Sequence, residues 1–337
     1  MLPHTGFYSK KQNNHMKEKR NLYLHLTDKC NLFCLHCYCG DRIVKKRQMT
    51  WDFLKNAVRI FADEFDIITL TGGEAVLSPI FYQVIELLNE KGLCARLDTN
   101  GQDLDKFFKK ITPKMVSELR FSVDGSCPGI NDVIRRKTGS FEKCIANIKK
   151  AVKLGFFVEM TATVTKQNYK DMAKIIDLAK QLKVSVMNFH LATVNGNSRY
   201  NDVELNPKLW LDVVEKQIKP QKDIVIKYPP RFSVKKLPSD YCGCVGYKNN
   251  RLSVFADGQA FNCALYFDTN RNSREINENR IVFTESPNET DDFRGINQKH
   301  RGACQRFYEI TTFSKKGLGK DKIIPLCIYY KKTLNGR

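Results

Sequence analysis

The sequence predicts an α/β fold, namely an open, partial (β/α)6 barrel of the TIM type followed by a small α+β extension. From residue 22 to about residue 190, short β-rich runs alternate with longer segments of helical spacing. This alternation is typical of repeated strand–helix units around a parallel sheet. Six strands are visible, fewer than the eight of a closed barrel. Beyond about residue 228 prolines and a hairpin pattern replace the alternation, which predicts a second, smaller unit.

The chain has 337 residues, enough for one large α/β domain plus a smaller module. Residues 1–20 are polar, basic and unpatterned, and we interpret them as a flexible arm. Residues 21–227 are expected to form the partial barrel, and residues 228–337 a linker and the smaller domain. The predicted barrel strands are residues 22–26, 67–70, 94–98, 119–123, 156–164 and 184–190.

Helix starts follow from residues that can cap a helix. Thr50 is expected to cap a helix with one apolar face, Ser140 a second, and Asn168 a third. A further helix is expected to begin at Asn206-Pro207.

The extension contains a hairpin pattern. Residues 252–255 and 259–263 flank Asp257-Gly258, a dipeptide that favours a tight turn between antiparallel strands.

The net charge and the cysteine content narrow the range of possible partners and functions. The formal net charge is +20, and a basic surface speeds encounter with nucleic acid, an acidic peptide or an acidic electron donor. No dense basic run interleaved with aromatics appears, so nucleic acid is the less favoured partner. The 12 cysteines are spread along the chain, and no leading apolar segment is visible. We therefore expect a cytoplasmic protein without membrane contact, in which grouped cysteines bind metal.

Cys30, Cys34 and Cys37 form a C-x3-C-x2-C array directly behind the first predicted strand. Three thiolates on one loop can bind three irons of a 4Fe-4S cluster and leave the fourth iron open to an external molecule. Taken alone, the spacing fits several metals. Together with Tyr38, which follows the third cysteine, the array resembles the cluster-binding loop of the radical S-adenosylmethionine (SAM) enzymes. That resemblance implies the partial barrel of the radical SAM type and a 4Fe-4S cluster that binds SAM.

Gly72-Gly73-Glu74 directly follows the second predicted strand. Two glycines allow a close backbone approach, and a carboxylate behind them can accept a hydrogen bond from an ammonium group. At this position the tripeptide is similar to the radical SAM motif that binds the methionyl amine of the cofactor. The resemblance implies reductive cleavage of SAM to a 5′-deoxyadenosyl radical, which abstracts a hydrogen atom from the substrate.

Polar residues also end the third and fourth predicted strands. Asn100 follows the third strand, and Ser122 and Asp124 close the fourth. These are candidates for hydrogen bonds to the ribose of SAM. For Ser122 and Asp124, a structural role in turns and caps remains the alternative.

Arg135 lies in a stretch, residues 131–141, that is similar to one in the peptide-modifying branch of the family, where the arginine meets the cofactor carboxylate. A structural role is the alternative here as well. Leu191 opens a tract, residues 191–200, that is expected to pass near the adenine. Cys127 is a candidate hydrogen-atom donor to a substrate radical. His190 ends the sixth strand and could reach a substrate, although a buried core histidine is the favoured interpretation.

A second set of cysteines lies in the extension. Cys244, Gly258 and Cys263 form a C-x13-G-x4-C pattern that resembles the start of a SPASM or twitch domain. The resemblance implies a second, auxiliary iron–sulfur cluster, in the shorter twitch form. A zinc site is the structural alternative. The implied ligands are Cys244, Cys263, Cys304 and, where a fourth is present, Cys327 or Cys242.

These features favour a radical SAM enzyme that modifies a ribosomally made peptide or a protein side chain by crosslinking, epimerisation or oxidation. Flavodoxin or ferredoxin is the expected type of electron donor. One alternative is a molybdenum-cofactor-type GTP cyclase, to which residues 251–258 and Cys263 are also similar. A nucleic-acid-modifying radical SAM enzyme is another. The third, a non-catalytic iron–sulfur or zinc module, leaves Gly72-Gly73-Glu74 unexplained.

Overall fold

The structure is a computed structural model that describes residues 20–93, 95–229, 251–263, 266–267, 273–277, 280–283 and 331–335. Its strands are β1 (Asn21–Thr27), β2 (Ile67–Gly72), β3 (Ala95–Thr99), β4 (Val116–Ser122), β5 (Val158–Val164), β6 (Val186–Leu191), β7 (Val225–Tyr228), β8 (Arg251–Val254), β9 (Gln259–Phe261), β10 (Ser273–Asn277), β11 (Arg280–Phe283) and β12 (Lys332–Asn335). Its α-helices are α1 (Gly40–Ile43), α2 (Trp51–Phe61), α3 (Phe81–Glu90), α4 (Asp105–Lys110), α5 (Pro128–Arg135), α6 (Ser140–Lys153), α7 (Met172–Gln181) and α8 (Pro207–Asp212).

All the described strands belong to one sheet. Their order is β11-β10-β9-β8-β1-β2-β3-β4-β5-β6-β7-β12. The strands from β8 through β1 to β7 pair in parallel, and β9, β10, β11 and β12 are antiparallel to their neighbours. The predicted α/β class with a parallel sheet is confirmed.

The sheet is wider than the six predicted strands. β7 extends it beyond β6, and β8 pairs in parallel with the first strand, Asn21 opposite Arg251. The predicted hairpin around Asp257-Gly258 is present as β8 and β9, and its first strand continues the barrel sheet. A boundary near residue 228 between two domains therefore stays a prediction.

The two faces of the parallel strands differ sharply. One face is apolar and packs with the helices in a single core, as in the alternating Leu22, Leu24 and Leu26 of β1. The other face carries polar and charged residues such as Tyr23 in β1 and Arg120 in β4. This period of two shows that the helices cover one side of the sheet. The inner side is left for a polar site.

Two predicted helix caps are confirmed. The Thr50 side chain accepts from the backbone N–H of Phe53 at the start of α2, and Asn206 accepts from Leu209 at the start of α8. Both residues have the extended backbone that precedes a helix.

The other two predicted caps are wrong. Gly139 occupies the N-cap of α6, and Ser140 is its first helical residue. Asp132 of the preceding helix accepts from the N–H groups of Gly139 and Phe141, so a carboxylate from another helix replaces the expected Ser140 cap. Asn168 accepts from Thr165 N in a local turn, and α7 begins only at Met172.

In the part of the chain that the structure describes, no helix has both the length and the apolar character needed to cross a membrane.

Candidate active site

The loop after β1 carries the three cysteines. All three are free thiols; Cys34 is buried, and Cys30 and Cys37 are half-buried. Burial raises the pKa of each thiol, that of Cys30 to about 12. Without metal the thiols are therefore protonated, and metal binding would release these protons. Their soft sulfur donors fit an iron–sulfur cluster.

A segment after β6 fixes this loop in place. Asn197 donates from its backbone N–H to Cys37 O and from its side chain to Cys34 O, each at 2.9 Å. A Cβ atom on Gly196 would overlap the carbonyl oxygens of Cys37 and Tyr38. Both Gly196 and Asn197 belong to the predicted tract 191–200, but their contact with the cysteine loop was not predicted; the polar run after the sixth strand was the available signal. The tract 191–200 therefore contacts the cysteine loop, and its predicted contact with adenine stays a prediction.

Gly72 and Gly73 allow the end of β2 to pack against the chain that leads to Cys30. Gly73 N donates to Thr27 O at 2.7 Å, and Glu74 N donates to Lys29 O at 2.8 Å. A Cβ atom at either glycine would overlap these carbonyl oxygens. The close approach is thus to the protein's own backbone.

Glu74 is 2% exposed, and both its carboxylate oxygens accept hydrogen bonds. Thr99 Oγ1 donates to Oε1 at 3.0 Å, and Asn100 N donates to Oε2 at 2.7 Å. Burial raises the pKa of Glu74 to about 7. The Asn100 side chain donates to Asn31 Oδ1 at 2.7 Å and lies 3.7 Å from Cys30 Sγ. The ends of β1, β2 and β3 therefore form one hydrogen-bonded network.

Asp124, just beyond β4, lies at the centre of a second network. Its Oδ2 is 2.7 Å from His36 Nε2 and 2.7 Å from Arg135 Nε, and its Oδ1 accepts from Thr163 N at 2.8 Å. Burial alone would raise the pKa of Asp124, but Arg135 and His36 lower it to about 2. Arg135 Nη1 also lies 3.7 Å from Cys34 Sγ. Asp124 and Arg135 are thus paired with each other, and their contacts with SAM stay predictions.

The other predicted site residues lie at strand ends, just after the third cysteine of the loop, and at the start of a helix. Ser122 ends β4, where its carbonyl oxygen lies 4.0 Å from Cys144 Sγ. Cys127 is exposed at the start of α5. Leu191 is buried at the end of β6, and Tyr38 packs edge-on against Phe267 at 5.6 Å between ring centroids. The structure shows these residues in local packing, so their predicted roles stay predictions.

Among the described residues, no group of three or more His, Cys, Asp or Glu side chains could hold a metal ion. The loop cysteines are compatible with a cluster, because its thiolates bind different irons and need not converge on one point. Of the second cysteine set, only Cys263 is described, and it is buried. Cys242, Cys244, Cys304 and Cys327 lie outside the described residues.

The chain is similar in sequence to a known protein family and to several known proteins. The family model described as the radical SAM superfamily matches residues 24–179. The chain is 30% identical over 189 residues to AdoMet-dependent heme synthase of Methanosarcina barkeri, covering 54% of this chain and 53% of that protein. It is 26% identical over 263 residues to human molybdenum cofactor biosynthesis protein 1, covering 72% of this chain and 41% of that protein. The chain thus spans about half the length, or less, of these curated relatives.

Among solved structures, the chain is similar to Streptococcus suis SuiB bound to its precursor peptide SuiA. The TM-score is 0.64 at 16% identity, covering 86% of this chain and 70% of that chain. At this identity the likeness shows the fold. The matched family model spans β1 through most of α7 and contains the cysteine loop, Glu74 and Asn100. The chain therefore carries a radical SAM domain over residues 24–179.

Proposed function

We propose that this protein is a radical SAM enzyme that acts on a peptide or protein side chain. One observation carries the proposal: the residues after β1, β2 and β3, namely the cysteine loop, Glu74 and Asn100, form one hydrogen-bonded network. A metal loop, an ammonium acceptor and a polar strand end are the parts that SAM binding at an open iron requires. When bound, the 4Fe-4S cluster and SAM supply one-electron cleavage of SAM and hydrogen-atom abstraction.

The protein's own residues would hold and orient these groups. Cys30, Cys34 and Cys37 would bind three irons, and the Glu74 carboxylate would accept from the methionyl ammonium of SAM. Arg135, already beside Cys34, would meet the carboxylate of SAM. Ser122, Asp124, Tyr38 and Leu191 are proposed to complete the cofactor site, and Cys127 stays a candidate hydrogen-atom donor.

A peptide substrate is supported by the fold likeness to a radical SAM protein bound to its precursor peptide. The second candidate substrate is a nucleoside triphosphate, favoured by the match of 72% of this chain to molybdenum cofactor biosynthesis protein 1. The test is to incubate anaerobically reconstituted protein with SAM and dithionite, and to add either a short peptide encoded beside its gene or GTP. We expect 5′-deoxyadenosine in every incubation, and transfer of deuterium to it from deuterated peptide alone. Absence of 5′-deoxyadenosine would refute the radical chemistry, and transfer from deuterated GTP would refute the peptide.

We further propose an auxiliary iron–sulfur cluster of the twitch type in the C-terminal part. Its support is the cysteine pattern together with the buried position of Cys263 next to β9. Iron content after removal of the first cysteine set tests it.

An acidic electron donor is proposed to dock beside the cysteine loop. Phe33, which lies between Cys30 and Cys34 in the chain, is 42% exposed and lines a cavity of about 320 Å³ with Val44 and Tyr200. Arg136 lines the same cavity, and exposed Lys45, Lys46 and Lys137 lie near these residues in the chain. Reduction by flavodoxin should therefore slow as salt rises, whereas reduction by dithionite should not. Equal salt dependence of the two rates would contradict this site.

Replacement of Glu74 by glutamine is expected to weaken SAM binding by about tenfold or more, because a charge-assisted hydrogen bond is lost. Glutamine is isosteric and can still accept from Asn100 N. Wild-type affinity should also fall by nearly tenfold between pH 7.5 and pH 6, as Glu74 is protonated below its pKa of about 7. The variant should lack this pH dependence. Dissociation constants at the two pH values, with Glu86→Gln on the exposed face of α3 as the control, measure both effects.

The same substitution should stabilise the SAM-free protein at alkaline pH. The folded-state pKa of Glu74, about 7, lies above its ordinary value of 4.5, so the folded state binds more protons between these values. Stability of the wild type should therefore fall by about 3 kcal/mol as pH rises from 4.5 to above 7. Urea unfolding at pH 5 and pH 8 should show this decline in the wild type and in Glu86→Gln but not in Glu74→Gln. An equal decline in all three proteins would contradict the burial of this charge.

A further inference from the structure

The inner face of the sheet carries charged side chains on β3, β4, β5, β7 and β8. Besides the ion pair of Arg120 with Glu118 within β4, at 3.9 Å, three ion pairs there join different strands, two between β3 and β4 and one between β5 and β7. The pairs are Arg120 Nε to Asp98 Oδ1 at 2.6 Å, Arg96 Nε to Glu118 Oε2 at 3.0 Å, and Lys227 Nζ to Glu159 Oε2 at 3.1 Å. Closed barrels of this type are usually filled by branched apolar residues. A charged inner face is costly to bury without a ligand or water.

Lys331, the residue directly before β12, reaches this face. Its ammonium donates to Asn188 Oδ1 and to the backbone oxygen of Phe189, both in β6. These two acceptors are neutral. Asn188 in turn donates to Glu159 Oε1 at 2.8 Å, and Glu159 is already paired with Lys227. Lys331 therefore lies beside a carboxylate that another lysine neutralises.

Positive charge exceeds negative charge on this face. On strands β1 to β8 and at Lys331, this face has five basic and three acidic side chains. They are Arg96, Arg120, Lys227, Arg251 and Lys331 against Asp98, Glu118 and Glu159. Burial lowers the pKa of Lys331, and the cations Lys227, Arg251 and Arg120 lower it further, while Glu159 opposes them. Burial, Lys331 and Arg120 likewise lower the pKa of His190. The group that would relieve this imbalance is an anion.

This face continues to the cysteine loop. His190, whose Nε2 lies 3.3 Å from Asn188 Nδ2, stands opposite Thr163 of β5. Thr163 N donates to Asp124, which pairs with His36 between the second and third cysteines. A molecule held at Lys331 would therefore lie on the same polar surface as the proposed SAM site. Lys331 is half-buried, so part of the residue is open to solvent. A ligand would reach its ammonium by displacing the contact to Asn188.

We propose that Lys331, with His190 and the neighbouring arginines, binds a carboxylate of the substrate peptide inside the partial barrel. This inference rests on the proposed function and names the chemistry of its substrate. The carboxylate belongs to an Asp or Glu side chain or to the peptide C-terminus. A single negative charge fits better than a phosphate dianion, because Glu159 lies one hydrogen-bonded residue from Lys331 and would repel the second charge.

The test uses the reconstituted full chain with SAM bound and no reductant, titrated by calorimetry with three short peptides. Acetyl-Gly-Asp-Gly-amide has a side-chain carboxylate, acetyl-Gly-Asn-Gly-amide has none, and acetyl-Gly-Asn-Gly with a free C-terminus has a terminal one. We expect one of the two carboxylate peptides to bind about tenfold more tightly than the neutral peptide. Which of the two binds tightly identifies the source of the carboxylate. Inorganic phosphate is the fourth probe.

Variants then locate the site. Lys331→Gln should reduce the preference for the carboxylate peptide over the neutral peptide to less than about threefold, and Lys331→Arg should retain this preference. Lys149→Gln, which removes an exposed lysine of α6, should leave the preference unchanged. Equal binding of the three peptides, tighter binding of phosphate than of either carboxylate peptide, or an unchanged preference in Lys331→Gln would overturn the inference.

The peptide comparison on the unaltered chain does not depend on how the variants fold. It also separates the two proposals, because 5′-deoxyadenosine formation is assayed on the same protein without peptide. Carboxylate preference without SAM cleavage would refute the proposed function and support the binding site. SAM cleavage without carboxylate preference would overturn only the binding site.

Discussion

Replacement of Cys34 by alanine is expected to abolish SAM cleavage. Cys34 is the buried member of the cysteine loop, and the Arg135 guanidinium lies 3.7 Å from its sulfur. Alanine offers no thiolate, so only two of the three proposed ligands would remain. The rate of 5′-deoxyadenosine formation should fall by more than the roughly 10- to 100-fold typical of losing a residue that only orients a ligand. Iron content, the visible spectrum and 5′-deoxyadenosine measure the effect.

The control is a cysteine that is buried but lies outside the loop. Cys144 of α6 is 2% exposed, so Cys144→Ala should cost about 1 kcal/mol of stability and leave iron content and SAM cleavage intact. If Cys34→Ala keeps wild-type iron and activity, the loop does not hold the catalytic cluster.

The triple variant of Cys30, Cys34 and Cys37 to alanine addresses the second cluster. Its iron content should fall without reaching zero, because Cys263 and the other cysteines of the C-terminal part would still hold the auxiliary cluster. An iron-free triple variant would leave one cluster in the chain.

The sequence predicted the strand ends well, because local signals define them. The run 67–70 predicted a strand, and β2 is Ile67–Gly72, so Glu74 was correctly placed directly behind it. The position of β8 beside β1 was not predictable in this way. Arg251 pairs with Asn21, and no local pattern selects a partner so far away in the chain. β7 was missed because it lies directly before the prolines at positions 229 and 230, where the strand–helix alternation was expected to end.

Residues that act through remote contacts were also missed. The chain has 56 lysines and arginines, and nothing in the sequence near Lys331 distinguishes it from the other 55. Its position against β6 depends on the pairing of β12 with β7. Asn197 escaped notice for the same reason, since its partners in the cysteine loop lie about 160 residues earlier. Motif spacing indicates candidate ligands, whereas supporting residues become visible only once the strands are paired.

Asp124 is a predicted site residue whose observed partners all belong to the protein itself. As a candidate ribose contact it needed a carboxylate oxygen open to SAM, but Oδ1 accepts from Thr163 N and Oδ2 is close to both His36 and Arg135. The alternative of a structural role gains support from this pairing.

Replacement of Asp124 by alanine is accordingly expected to destabilise the protein by about 3 to 5 kcal/mol, because it leaves the buried Arg135 guanidinium without its counter-charge. The pH dependence should change with it. The pKa of Asp124 is about 2 in the folded state, below its ordinary value of 3.8. This difference contributes about 2 kcal/mol to the stability of the wild type, which is present above pH 4 and is lost as pH falls towards 2. Urea unfolding at pH 7 and pH 3 measures both effects. Asp105→Ala, which removes an 86% exposed carboxylate 4.0 Å from Lys150, should change stability by less than about 1 kcal/mol.

Asp124→Asn separates the structural role from contact with SAM. Its amide oxygen can still accept from Thr163 N, but the amide carries no charge for Arg135. If the carboxylate is needed only for packing, this variant should lose stability and bind SAM with near wild-type affinity once folded. If the carboxylate also accepts from the ribose, SAM affinity should fall about tenfold, more than the loss of stability explains. Wild-type stability in both Asp124 variants would contradict the buried ion pair, because a charge as enclosed as that of Arg135 cannot lose its partner without cost.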